Sequence, residues 1–132
     1  MRYLGIDYGR RRIGLAFSDV GARIAFQHGV LQGGGNKFAA DQIVAMIKRE
    51  RVDAIVIGLP LGPDGSETEE SERVRKFAAE IGTKTNLQIE FENEMLSSKI
   101  AEGAGVAKEH LDEASAVLIL QSFLDKWGGK FK

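Results

Sequence analysis

The segment LGIDYG places an aspartate, Asp7, in a short apolar run between Gly5 and Gly9. An unpaired carboxylate inside a buried strand costs several kcal/mol unless something offsets its charge. A divalent metal ion is one such partner. Hydrogen bonds from the Tyr8–Arg12 turn are the other reading. Mg²⁺ is usually held by one or two carboxylates together with phosphate and water. Two-metal phosphoryl chemistry needs several carboxylates converging on ions roughly 3.5–4 Å apart. The acids that could converge on Asp7 must lie at strand ends or helix starts. Glu94 lies just past the last predicted strand, and Asp112 opens the last predicted helix. Each also has a plainer reading. Glu94 would continue a solvated acidic face with Glu90 and Glu92, and Asp112 would be a capping or first-turn acid that suits the helix dipole. Glu92, Glu113 and Asp125 are further acids, and Asp125, at the far end of its helix, is the least suited to the role.

Positive and hydroxyl groups accompany the acids. Arg10, Arg11 and Arg12 follow Asp7 directly and could hold backbone phosphates through charge. The alternative is a solvated turn. Ser97 and Ser98 stand where a short helix would start, able to contact phosphate oxygens or simply to cap. His28 and His110 show no metal spacing and receive no role. Trp127 and the phenylalanines read as packing residues, because no basic patch interleaves with them.

The bulk composition narrows the class. The 132 residues are 43% apolar and 28% charged, values of an ordinary globular chain, and the length suits one domain over residues 1–132. With no cysteine, disulfides, thiolate catalysis and cysteine-ligated zinc are excluded. No apolar run approaches the ~20 residues that span a bilayer, and MRYLGIDYG has no apolar leader core, so a cytoplasmic protein without membrane contact is expected. Net charge is −1, split between +5 over residues 1–51 and −6 over the remainder. That division could hold phosphates on one side and concentrate metal on the other, or reflect chance segregation.

The elements that must position these residues follow from periodicity. Tyr3–Asp7, Arg12–Ser18 and Ile24–Leu31 read as an antiparallel meander, with Ile13, Leu15 and Phe17 on one face. Asn36 is a possible cap for a helix over Lys37–Arg51, with Phe38, Ala39, Ile43, Ala45, Met46 and Ile47 as its apolar stripe. Asp53–Gly58 is a continuous apolar run, as in a strand covered on both faces. Leu59–Gly65 can only be a loop. Ser66 and Glu69 resemble a capping box for a helix that runs to Ile81 and stops at Gly82. Asn86–Glu92 alternates, as in a strand with one wet face near a sheet edge. Ser97 to Glu102 is a short helix, 103–110 a loop, and Asp112–Trp127 a long helix with Ala116, Leu120, Phe123 and Leu124 inward. Three antiparallel strands followed by alternating helix and strand give a mixed α/β sheet of order 3-2-1-4-5, flanked by helices.

Four blocks then resemble one family in order: LGIDYGRRRIGLAFSD, VDAIVIGLPLGPDGSETEESERVRKFA, NEMLSS and LDEASAVLILQSFLD. They are similar to the YqgF/RuvX family of the RNase H-like superfamily, related to the resolvase RuvC. The resemblance implies an RNase H-like fold and a nuclease that cleaves phosphodiesters with Mg²⁺ or Mn²⁺, leaving a 5′-phosphate and a 3′-hydroxyl. For bacterial members it implies maturation of the 5′ end of pre-16S ribosomal RNA, with Holliday-junction resolution as the alternative. Its acidic positions fall on Asp7, Glu94 and Asp112, and its paired hydroxyls on Ser97 and Ser98. The second motif departs from the family pattern: Asn93 replaces an Asp and Met95 an Arg. The Arg loss removes a bidentate phosphate contact, and the Asp loss weakens metal binding unless Glu92 substitutes.

Two rivals remain at this stage. GIDYG…RIGLAFSD also resembles the first phosphate loop of the actin and sugar-kinase fold, but that fold needs two domains closing on ATP. A non-catalytic RNA-binding module with a degraded site would account for Asn93 and Met95. The expected partner is nucleic acid, structured RNA ahead of DNA, and the expected state a monomer or weak homodimer.

Overall fold

Tyr3–Tyr8 forms β1, and all six of its residues are buried, so the strand is covered on both faces. Gly9 turns the chain back: its N–H meets the Arg12 carbonyl at 2.9 Å, and a Cβ there would lie 2.7 Å from that oxygen. β2 (Arg12–Ser18) and β3 (Ala25–Gln32) complete an antiparallel meander. Helix α1 (Gly35–Glu50) leads to β4 (Ala54–Leu59), again buried throughout, which lies parallel to β1. Helix α2 (Glu69–Thr85) leads to β5 (Gln88–Asn93), parallel to β4. The last helix described, α3, spans Leu111–Trp127. The five strands lie in the order β3-β2-β1-β4-β5, the expected mixed sheet. These positions come from a computed structural model that describes residues 1–9, 11–32, 35–93 and 111–127. The expected short helix from Ser97 and the loop 103–110 lie outside the described residues.

Alternation along the strands divides the core. Leu4, Ile6, Leu15, Ile55 and Ile57 pack against Ile43 of α1 and Val74, Phe77 and Ile81 of α2. Tyr3, Ala16 and Val56 pack on the other face against Ala116, Ile119, Leu120 and Phe123 of α3. Each fully buried Leu or Ile contributes roughly 1.5–3 kcal/mol relative to exposure. The inward residues expected of the last helix are all buried.

Four expectations about helix ends and faces need correction. Ser66 does not cap α2, because its N–H and hydroxyl both donate to Asp64 Oδ1 inside the preceding loop, at 3.1 and 2.6 Å. Thr68 is the N-cap, and its N–H donates to Ser71 Oγ at 3.0 Å. Gly82 does not end the helix: Asn86 does so in the left-handed conformation (φ 58°), donating its N–H to the Gly82 carbonyl. Asn36 lies inside α1, and its Oδ1 accepts the Tyr8 hydroxyl at 2.5 Å. On α1, Phe38 and Ala45 are exposed, and Ala40 joins Ala39, Ile43, Met46 and Ile47 inside.

Candidate active site

Asp7 stands one residue from the end of β1, only 6% exposed. Alternation sets it on the same face as Tyr3 and Gly5, the face covered by α3. Phe123 packs its ring against Tyr3 at the start of β1, with centroids 5.5 Å apart. Leu120 and Ala116 lie over Gly5 in its middle. The helix therefore runs back along β1, and its first turn approaches the end that carries Asp7. Asp112 is the second residue of that helix. Glu94, Ser97, Ser98 and Arg10 lie outside the described residues, so the expected gathering of Asp7, Glu94 and Asp112 is not described.

Another acid reaches the Asp7 end. Glu92 pairs with Gly58 in the β4–β5 ladder, and Gly58 is one step beyond the Ile6↔Ile57 pair. Asp7, Gly58 and Glu92 thus share one level and one face of three neighbouring strands. Two strand spacings put the two acidic Cα atoms about 10 Å apart. Gly58, between them, puts no side chain in the gap. The alternating pattern predicts a solvated Glu92. Instead it is buried, and its Oε1 accepts a hydrogen bond from Lys126 Nζ at 2.6 Å. No local signal could have shown this, because the partner lies 34 residues on. Burial, then the Glu90 and Asp53 carboxylates, push the Tyr3 phenol above its ordinary pKa.

Arg11 and Arg12 are exposed on the turn that follows Asp7. Arg11 lines a cleft of about 50 Å³ with Gly9, Gly35 and Asn36. A larger groove, of about 550 Å³, lies between α2 and the edge strand β5. Leu87, Ile89 and Phe91 line it with no acid among them, which does not suit a metal centre. Among the described residues, no group of three acids or histidines is placed to hold a metal ion. The buried Asp7 carboxylate near a strand end is nevertheless donor chemistry that suits a hard divalent cation.

The five-stranded mixed sheet of this order, flanked by helices, is an RNase H-like fold. The solved structure of RuvC from T. thermophilus, in complex with a Holliday junction substrate, superposes with a TM-score of 0.66 at 15% identity, covering 98% of this chain and 97% of that one. A family model described as "RuvX: Holliday junction resolvase" matches residues 1–126, and the chain belongs to that family. Curated relatives agree along nearly their whole length. A protein of Nitratidesulfovibrio vulgaris (strain DSM 19637 / Miyazaki F) named "Putative pre-16S rRNA nuclease" is 40% identical, covering 95% of this chain and 94% of that one. One of the same name from Maridesulfovibrio salexigens is 37% identical, over 94% of this chain and 98% of its own.

Proposed function

We propose that this chain is a metal-dependent endonuclease that trims the 5′ end of precursor 16S ribosomal RNA in the cytoplasm. The observation that carries the reading is Asp7, a buried carboxylate near the end of the central strand, facing the helix that begins with Leu111 and Asp112. Asp7, Glu94 and Asp112 would hold one or two Mg²⁺ or Mn²⁺ ions. Such an ion, when bound, lowers the pKa of a water and neutralises charge on the scissile phosphate. The chain's own groups do the positioning. Arg11 and Arg12, exposed beside Asp7, attract and orient the sugar–phosphate backbone, with Arg10, Ser97 and Ser98 completing that contact. The loop after β4 borders the cleft, where parallel strand ends commonly place ligands. Among the described residues no helix is long and apolar enough to cross a membrane.

Cleavage of four-way DNA junctions is a second reading, favoured by the description of the matching family. The test is cleavage by the purified protein with Mg²⁺ or Mn²⁺, comparing precursor 16S RNA with a four-way DNA junction. Preferential cutting of the RNA near the mature 5′ end is expected. Preferential junction cutting supports the second reading. RNA binding without turnover in either metal contradicts both and returns the chain to a non-catalytic module, as Asn93 and Met95 would then suggest.

A further inference from the structure

The groove between α2 and the edge strand β5 takes no part in the site around Asp7. Its volume of about 550 Å³ is that of a small-molecule site. Leu87, Ile89 and Phe91 line its strand side, and Ala78, Ala79 and Gly82 its helix side. Those small helix residues keep it open, because longer side chains on α2 would reach across onto β5. Alternation turns Glu90 and Glu92 to the opposite face of the sheet, so no carboxylate of β5 enters the groove.

One end of the groove carries a fixed cation. The Arg75 guanidinium lies over the Phe91 ring, 4.8 Å from its centroid. Its Nε and Nη2 donate to the two Glu67 carboxylate oxygens, at 2.5 and 3.0 Å, which holds the guanidinium plane in place. The Arg75 side chain is nevertheless half exposed, and among the described residues its Nη1 makes no hydrogen bond. Glu67 is joined to Leu61 by a β-bridge across the loop that follows β4. That loop is the one that borders the cleft. Phe91 stands one residue before Glu92, which shares the level of Asp7. The Arg75–Phe91 end of the groove is therefore the end nearest the cleft, around the edge of the sheet.

We propose that this groove is a subsite for an unpaired nucleotide of the RNA, a few positions from the bond that is cut. The base sits on Ile89 and Phe91 against the Arg75 plane, and its phosphate meets Arg75. This inference rests on the RNA-processing reading given above. Single-stranded RNA is recognised through bases stacked on aromatic rings and guanidinium planes, and here such a pair is already assembled. The outward side of Arg75, with exposed Lys76 next in sequence, suits a phosphate. A peptide strand added to β5 is the other occupant the groove could take. Glu90 on that edge disfavours it, because charges on an edge strand discourage pairing.

The test is titration of the full chain, without divalent metal, with a single-stranded RNA of ~10 nucleotides, followed by amide NMR shifts and by fluorescence anisotropy. A shift at Gly82 is expected, together with ~10-fold weaker binding of an abasic strand of the same length and charge. Ala79→Leu fills the groove from an exposed helix position and should remove both the shift and the preference for the base-bearing strand. Arg75→Lys keeps the charge without the plane and should reduce that preference. If Ala79→Leu fails to fold, Thr83→Leu replaces it. RNA binding with no shift in the groove, or a groove-filled variant that still prefers the base-bearing strand, overturns the proposal and leaves the nuclease reading standing. An apolar peptide that shifts the β5 amides where RNA does not also overturns it, in favour of the other occupant. No binding of RNA at all overturns both readings.

Discussion

Leu120 lies directly on Gly5: a Cβ built at Gly5 would sit 2.7 Å from Leu120 Cβ and 3.2 Å from the Ala116 carbonyl oxygen. The last helix and the central strand are thus in contact two residues before Asp7. Neither obstructing atom is the far end of a flexible side chain, so a larger residue must push the helix away. Gly5→Ala is expected to cost about 1–3 kcal/mol by overpacking, read from urea denaturation. It should also lower nuclease activity, because the displaced helix carries Asp112. An activity loss with unchanged stability would contradict this mechanism.

Much of this arrangement was legible in the sequence, for reasons that differ between elements. β2 starts and ends where its sequence predicts, and all of its residues after Arg12 are buried, so both of its faces are covered. The strand order follows from the meander and the crossovers. Asp7 stood out because a charge in an apolar strand needs an explanation. The misreadings arose where a side chain's partner was set by tertiary structure or by a competing local bond. Ser66 had the right spacing for a cap, but Asp64 takes its hydroxyl. Gly82 looked like a helix stop. In the fold it lets α2 approach β5, since a Cβ there would lie 3.3 Å from Ile89 Cδ1. The burial of Glu92 is set by Lys126, a partner 34 residues further along the chain.

The Glu92–Lys126 pair makes a second prediction. Glu92 is buried, while the Lys126 side chain is half exposed. Lys126→Met leaves a buried carboxylate without its cation and should cost about 1–2 kcal/mol, discounted for the exposed partner. Adding Glu92→Gln should recover most of that loss. A double-mutant cycle in urea checks it, and a coupling near zero would show that the pair does not anchor the end of β5.

A third prediction concerns acid. The backbone N–H groups of Ile24 and Arg23 donate to the Asp19 carboxylate and hold its pKa below the ordinary value. The folded value therefore lies below the unfolded one of ~4. The contribution of Asp19 is complete above that pH and is lost as pH falls through the folded value. Asp19→Asn should make stability less dependent on pH below ~4, measured as the urea midpoint across that range. An unchanged acid limb would mean that the turn does not depend on this charge.

The nuclease reading itself turns on Asp7. Its most direct test is Mn²⁺-dependent cleavage of precursor 16S RNA by Asp7→Asn beside the unaltered chain, with unfolding curves recorded for both. The expected result is loss of at least ~100-fold in rate with the fold intact, because the variant keeps the shape and removes the anionic ligand. Full cleavage by a folded Asp7→Asn protein would contradict the account.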